Sequence, residues 1–248
     1  MPVSGITLLI IMFLAGNPEP VFMVENLPKE TRAYVHDKKR KEEILLLYKQ
    51  YEKEVKPFKK EFTKTRKKLK KLNLSKKTSE DSLLQLLSHS LDIQERIAIT
   101  GISYRMQIQE LFLSGEWDAI FTHKEYSSDD SIRKNSGQDL DTELEEIELI
   151  ITKYISDPFR ATEILKAHHR YSKRLKELIE INADTVKHNL LVFCRQDAER
   201  DELEKALSST YALDDDVFFA LLDFNDVLKD YTTNEEWFQI IKKINRRY

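Results

Sequence analysis

The only two tryptophans of the chain lie 120 positions apart, in Gly115-Glu116-Trp117 and Glu235-Glu236-Trp237. Applied without gaps, that shift sets Leu83, Leu87 and Ser88 on Leu203, Leu207 and Ser208. It also sets Tyr104, Ile108 and Ile120 on Phe224, Leu228 and Ile240, and Ile44, Tyr51 and Val55 on Ile164, Tyr171 and Leu175. Apolar character kept in one register over so long a span predicts an internal duplication. A repeat unit of this size, built twice, restricts the fold more than any single motif does.

The apolar spacing says what the unit is made of. Ile44, Tyr48, Tyr51, Val55, Phe58, Phe62, Leu69 and Leu72 recur at intervals of three, four or seven, which is one face of a helix. A helix is expected from about Lys29 to Leu72, with a local kink at Pro57. Residues 73–78 read as a turn, and a return helix follows from Ser79 to about Leu113, with Thr78 or Ser79 as its cap. The second half repeats the plan. One arm runs from about Asp141 to Phe193 and breaks at Asp157-Pro158, a turn lies at Arg195 to Asp197, and the return arm runs from Glu199 to Tyr231. Thr233 and Glu236 fit a capping box that opens a closing helix over 234–245.

The 248 residues include only 5 Gly and 6 Pro, which favours long helices over barrels, sandwiches and glycine-rich nucleotide loops. The expected fold is therefore all-α: a duplicated long helical hairpin forming an elongated four-helix bundle, each half closed by a short helix bearing Trp117 or Trp237. The expected organisation is an apolar leader over 1–25, a first hairpin over 26–122, a polar linker over 123–140 and a second hairpin over 141–248.

The leader carries an uncharged apolar run from Val3 to Gly16, 14 residues long. As a helix it would span roughly 21 Å, short of a bilayer core of ~30 Å. A signal peptide and a membrane anchor both fit. No Lys or Arg precedes the run, and Phe13/Ala15 or Leu14/Gly16 make a poor cleavage site. The basic cluster Lys38, Lys39, Arg40 and Lys41 follows the run, which for an anchor favours a cytoplasmic body. Both readings place the protein in the cell envelope, as an exported, periplasmic or membrane-anchored chain.

Charge is polarised along the chain. Residues 29–77 carry 19 Lys/Arg against 7 Asp/Glu, although the whole chain has a formal net charge of −3. The basic helix displays Lys49, Lys53, Lys56, Lys59, Lys60, Lys64, Arg66, Lys67, Lys68, Lys70 and Lys71, candidates for contact with an anionic surface. The competing account is a solvated face complemented by the chain's own acidic arm, Glu199, Asp201, Glu202, Glu204 and Asp214 to Asp216.

Chemistry has little to work with. No Glu stands three positions before any of the six histidines, so the Glu-x-x-His signature of di-iron bundles is missing. His168 and His169 are adjacent, about 100° apart on a helix, and chelate poorly. The single cysteine, Cys194, ends an apolar run and reads as packing. No catalytic residue, metal ligand or cofactor is expected.

In overall plan the chain resembles the Spy-like periplasmic stress chaperones, in which a leucine-threonine-x-x-glutamine motif recurs near helix ends. The corresponding segments are Leu113-Ser114-Gly115-Glu116-Trp117 and Tyr231-Thr232-Thr233-Asn234-Glu235, neither of which ends in Gln. The resemblance implies an ATP-independent chaperone or envelope-stress role and carries no functional residue across. The leading expectation is thus a non-enzymatic envelope protein acting as scaffold, adaptor or chaperone-like binder. The alternative is a membrane-anchored module whose basic helix binds anionic lipid or nucleic acid. The expected partner is protein, then an anionic membrane surface, then nucleic acid, with homodimerisation through exposed helix faces.

Overall fold

In the computed structural model, residues 26–121 and 129–245 are described. The leader expected over 1–25, residues 122–128, which include the first part of the expected linker, and residues 246–248 lie outside them. All regular structure among the described residues is helical, with no strand.

Short-range capping sets the helix starts. Helix α1 (Leu27–Tyr34) begins where the Asn26 side chain accepts from the Lys29 N–H at 3.1 Å. Helix α2 (Lys38–Asn73) begins where Asp37 Oδ1 accepts from the Arg40 N–H at 2.7 Å. The single helix expected from Lys29 is therefore two. The break at 35–37 places Val35 fully inside the core and frees Asp37 to cap the next helix. Helix α2 then runs unbroken through Pro57, which lies on its exposed side.

Helix α3 (Glu80–Gln109) starts at the expected cap, Ser79, and α4 (Ser114–Phe121) carries Trp117. Helix α5 (Asp129–Tyr154) begins inside the span expected to be linker, so residues 129–140 are helical. Helix α6 (Pro158–Cys194) starts at the expected Asp157-Pro158 break, with Asp157 as cap, and α7 (Arg200–Tyr231) returns. Helix α8 (Asn234–Asn245) has the expected capping box. The Glu236 N–H donates to Thr233 Oγ1 at 3.2 Å, and the Thr233 N–H donates to Glu236 Oε2 at 2.7 Å.

The main packing is α2 on α3 and α6 on α7, with α3 also meeting α7. Both pairs run antiparallel. Arg40 reaches Glu116 beyond the end of α3, and Glu61 reaches His89 near its start. In the other pair Arg160 reaches Glu236 and Asn189 reaches Ser209. One core buries Ile44, Tyr51, Val55, Ile93, Ile97, Ile108 and Trp117. A second buries Ile164, Tyr171, Leu175, Phe224, Leu228, Trp237 and Ile240, and takes in Leu69, Leu83 and Leu87 from the first hairpin. A third joins Ala98 and Ile102 of α3 to Val192, Phe193, Leu203 and Leu207. The turn end of each hairpin is therefore buried against the open end of the other.

Polar contacts repeat across the same 120-position shift. Arg40 grips Glu116 through two bonds of 2.6 and 2.9 Å, and Arg160 grips Glu236 through two of 2.6 and 3.0 Å. Arg40 also donates to the Leu111 carbonyl, as Arg160 does to that of Tyr231. Lys76 donates to the Thr232 carbonyl, and Gln196 to that of Phe112.

Both tryptophans bond to the far end of another long helix. Trp117 Nε1 donates to the Cys194 carbonyl at 2.8 Å, at the end of α6. Trp237 Nε1 donates to the Asn73 carbonyl at 2.9 Å, at the end of α2. Each indole thus satisfies a terminal carbonyl of the opposite hairpin's long helix, a group that the helix itself leaves without a partner.

Candidate polyanion interface

The structure sorts the eleven basic residues from Lys49 to Lys71 by the side of α2 they occupy. At 100° per residue, Ile44, Tyr51, Val55, Leu69 and Asn73 share the buried side. Lys49, Lys53, Lys56, Lys60, Lys64, Lys67 and Lys71 fall opposite, at successive spacings of four, three, four, four, three and four. All seven are exposed. They occupy an arc of about 80° and a length of roughly 33 Å at 1.5 Å per residue. No Asp or Glu between Lys49 and Lys71 falls on that arc, because Glu52, Glu54 and Glu61 lie on its flanks.

The other four are not equivalent to the seven. Lys59 sits on the flank, bonded to Glu52 at 3.0 Å and 5.8 Å above the Tyr51 ring. Arg66 is half-buried over the Phe62 ring, 5.4 Å from its centre, and burial lowers its pKa. Lys70 is half-buried beside it, and its pKa is lowered first by burial and then by the Arg66 charge. Lys68 is exposed but lies off the ridge.

Neutralisation by the chain's own acidic arm is not seen among the described residues. Glu202 bonds Arg195 at 3.0 Å and Glu204 bonds Arg200 at 2.7 Å, both within the second hairpin. The side chains of Asp214 to Asp216 lie outside the described residues. No described ion pair joins a ridge lysine to any carboxylate. Six consecutive like-charge pairs at i,i+3 or i,i+4 cost a helix roughly 0.2–0.5 kcal/mol each, or about 1–3 kcal/mol together. The ridge is thus carried at a cost in stability that Glu52, four positions before Lys56, and Glu61, three before Lys64, offset only in part. A shallow open depression lined by Glu52, Lys53, Lys56, Lys59, Lys60 and Thr63 lies along its middle.

Other reactive groups are accounted for structurally. No cluster of three His, Cys, Asp or Glu able to hold a metal occurs among the described residues. His168 and His169 both reach one carboxylate, Glu148 of α5, at 3.2 Å through Nδ1 and 3.0 Å through Nε2. His168 is fully buried, its Nε2 has no partner, and burial lowers its pKa. Cys194 is partly buried and burial raises its pKa, which keeps it a thiol.

Arg105 was not anticipated as a linking residue. It is buried on α3 and donates to the Phe193 and Arg195 carbonyls at 2.6 and 2.8 Å, with its guanidinium 5.2 Å from the Trp117 ring. Burial pulls its pKa down to about 10, so it stays charged at neutral pH and meets the negative end of the α6 dipole. The sequence signal was there: a charged residue on the apolar face, three positions before Ile108. No protein-family model, curated protein or solved structure matches the chain.

Proposed function

We propose that the chain is a non-enzymatic binding module of the cell envelope, which holds the lysine ridge of α2 rigidly against a polyanionic partner. Its frame is a duplicated helical hairpin folded as an elongated four-helix bundle, each half closed by a Trp-bearing helix. The Arg40–Glu116 and Arg160–Glu236 pairs, with the two reciprocal Trp–carbonyl bonds, support duplication from one ancestral hairpin. The placement in the envelope rests on the apolar run from Val3 to Gly16.

The observation that carries the function is the ridge: seven exposed lysines in one line, with no carboxylate among them. A helix face used only for solubility gains from alternating signs at i,i+4, and among the seven ridge lysines only Lys56 has a carboxylate, Glu52, four positions away. Heparin chromatography tests the reading with an anion of no particular shape. The wild-type chain is retained and is released by salt, and a Lys56→Glu/Lys60→Glu/Lys64→Glu variant is released much earlier. Equal retention of the two proteins would overturn it.

A further inference from the structure

The shape of the ridge narrows the partner. We infer that the partner is the anionic surface of a lipid bilayer, with α2 lying flat along it and the seven lysines at the level of the headgroups. This rests on the reading of the ridge as the binding face.

Three observations favour a bilayer over a nucleic acid. First, the seven lysines keep to one side of the helix along its axis. Their spacings return every seventh residue to nearly the same angle, so the lysines from Lys49 to Lys71 present one side to a flat partner. A duplex presents its phosphates on a helical track, which a straight rod meets over only part of its length. Second, the ridge contains lysine alone. Nucleic-acid interfaces add to their lysines the bidentate guanidinium and Ser, Thr, Asn and Gln side chains. The arginine within this span, Arg66, lies half-buried over Phe62. Mobile ammonium groups suit a fluid, delocalised field of negative headgroups. Third, the apolar side of α2 is committed to the core through Ile44, Tyr51, Val55 and Leu69. The helix therefore rests on a membrane without inserting, and the contact is electrostatic. Durable attachment takes a second signal besides a polybasic patch. The uncharged run from Val3 to Gly16 of the same chain supplies an apolar one.

The test is co-sedimentation of the full chain with phosphatidylcholine vesicles, with and without about 30% phosphatidylserine. Any insertion of the apolar run contributes to both vesicle types, so the gain on adding phosphatidylserine reports the ridge. Each lysine at an anionic surface is worth about fivefold in binding. The Lys56→Glu/Lys60→Glu/Lys64→Glu variant should therefore lose at least about a hundredfold of that gain. The wild-type gain should also shrink when ionic strength rises from about 0.15 M to about 1 M. Circular dichroism confirms that the variant keeps its helices, since the three sites are exposed.

A gain that persists in the variant overturns the proposal, as does equal binding to both vesicle types. A short DNA duplex forms the third arm. Lysine-dependent binding to the duplex with no gain from phosphatidylserine overturns the membrane assignment and leaves the ridge as a polyanion interface. Failure in all arms, heparin included, removes both.

Discussion

Trp237 donates its indole N–H to the backbone carbonyl of Asn73, 2.9 Å away and 164 positions earlier in the chain. The donor sits in the last helix and the acceptor ends the first long one, so one buried bond spans most of the sequence. Trp117 makes the corresponding bond to Cys194 in the opposite direction. Neither hairpin end is complete until the other hairpin is in place.

Trp237→Phe keeps most of the buried ring but leaves the Asn73 carbonyl without its donor. The Asn73 side-chain amide is itself buried without a hydrogen bond, so this helix end is already short of partners. A loss of about 1–3 kcal/mol is expected in urea unfolding. Trp237→Ala adds a cavity and should cost about 3–5 kcal/mol. A Phe variant as stable as wild type would show that the bond adds nothing.

Arg160 and Glu236 form a two-pronged pair, and the arginine also donates to the Tyr231 carbonyl. Lysine cannot reproduce that fork, so Arg160→Lys should lower the urea midpoint despite keeping its charge. Arg40→Lys should behave alike, because Arg40 makes the same three contacts with Glu116 and Leu111. In a double-mutant cycle, Arg160→Met with Glu236→Gln should cost less than the sum of the two single changes.

Acid should unfold the protein in two stages. Glu236 is held down to about 2, chiefly by the Arg160 bonds and then by the Thr233 backbone and hydroxyl donors. Its folded pKa lies below its unfolded one, so its contribution is present above the ordinary glutamate value and is lost as pH falls toward 2. His168 enters earlier. Burial lowers its pKa, against the pull of Glu148, so the unfolded chain binds the proton more readily. Stability should begin to fall as pH drops below about 6.5. His168→Gln should flatten the dependence of the urea midpoint on pH between 6.5 and 5, and an unchanged slope would assign that stage to other groups.

The ridge makes a prediction of the opposite sign. Lys60→Glu turns two repulsive i,i+4 contacts, with Lys56 and Lys64, into attractive ones. The variant should gain about 1 kcal/mol at low ionic strength, and less at about 1 M. Weaker retention on heparin together with higher thermal stability would separate binding from folding. Lower stability would show that Lys60 has a structural role.

Much of this molecule was settled within single helical turns. The three-and-four spacing around Tyr51 and Val55 fixes a helix and its inner side whatever it packs on. Ser79, Asp157 and the Thr233–Glu236 box start their helices where the sequence placed them, because a cap bonds backbone only two or three residues away. The lysine line was equally local, since its spacing is plain in the residues. What the sequence left open was which of the eleven basic residues stay in water, because Arg66 and Lys70 are partly buried only once neighbouring elements pack beside α2.

The tertiary structure alone decided the rest. The chain breaks at 35–37 because Val35 is buried in a core assembled from α1, α2, α3 and α4. The Asn73 and Cys194 carbonyls find tryptophan donors, and Arg105 reaches the end of α6, only when the two hairpins lie together. Periodicity and capping act over a few residues and are written in order along the chain. Partners 77 to 164 positions apart meet by packing, and their pairing is set by which surfaces the two hairpins bury against each other.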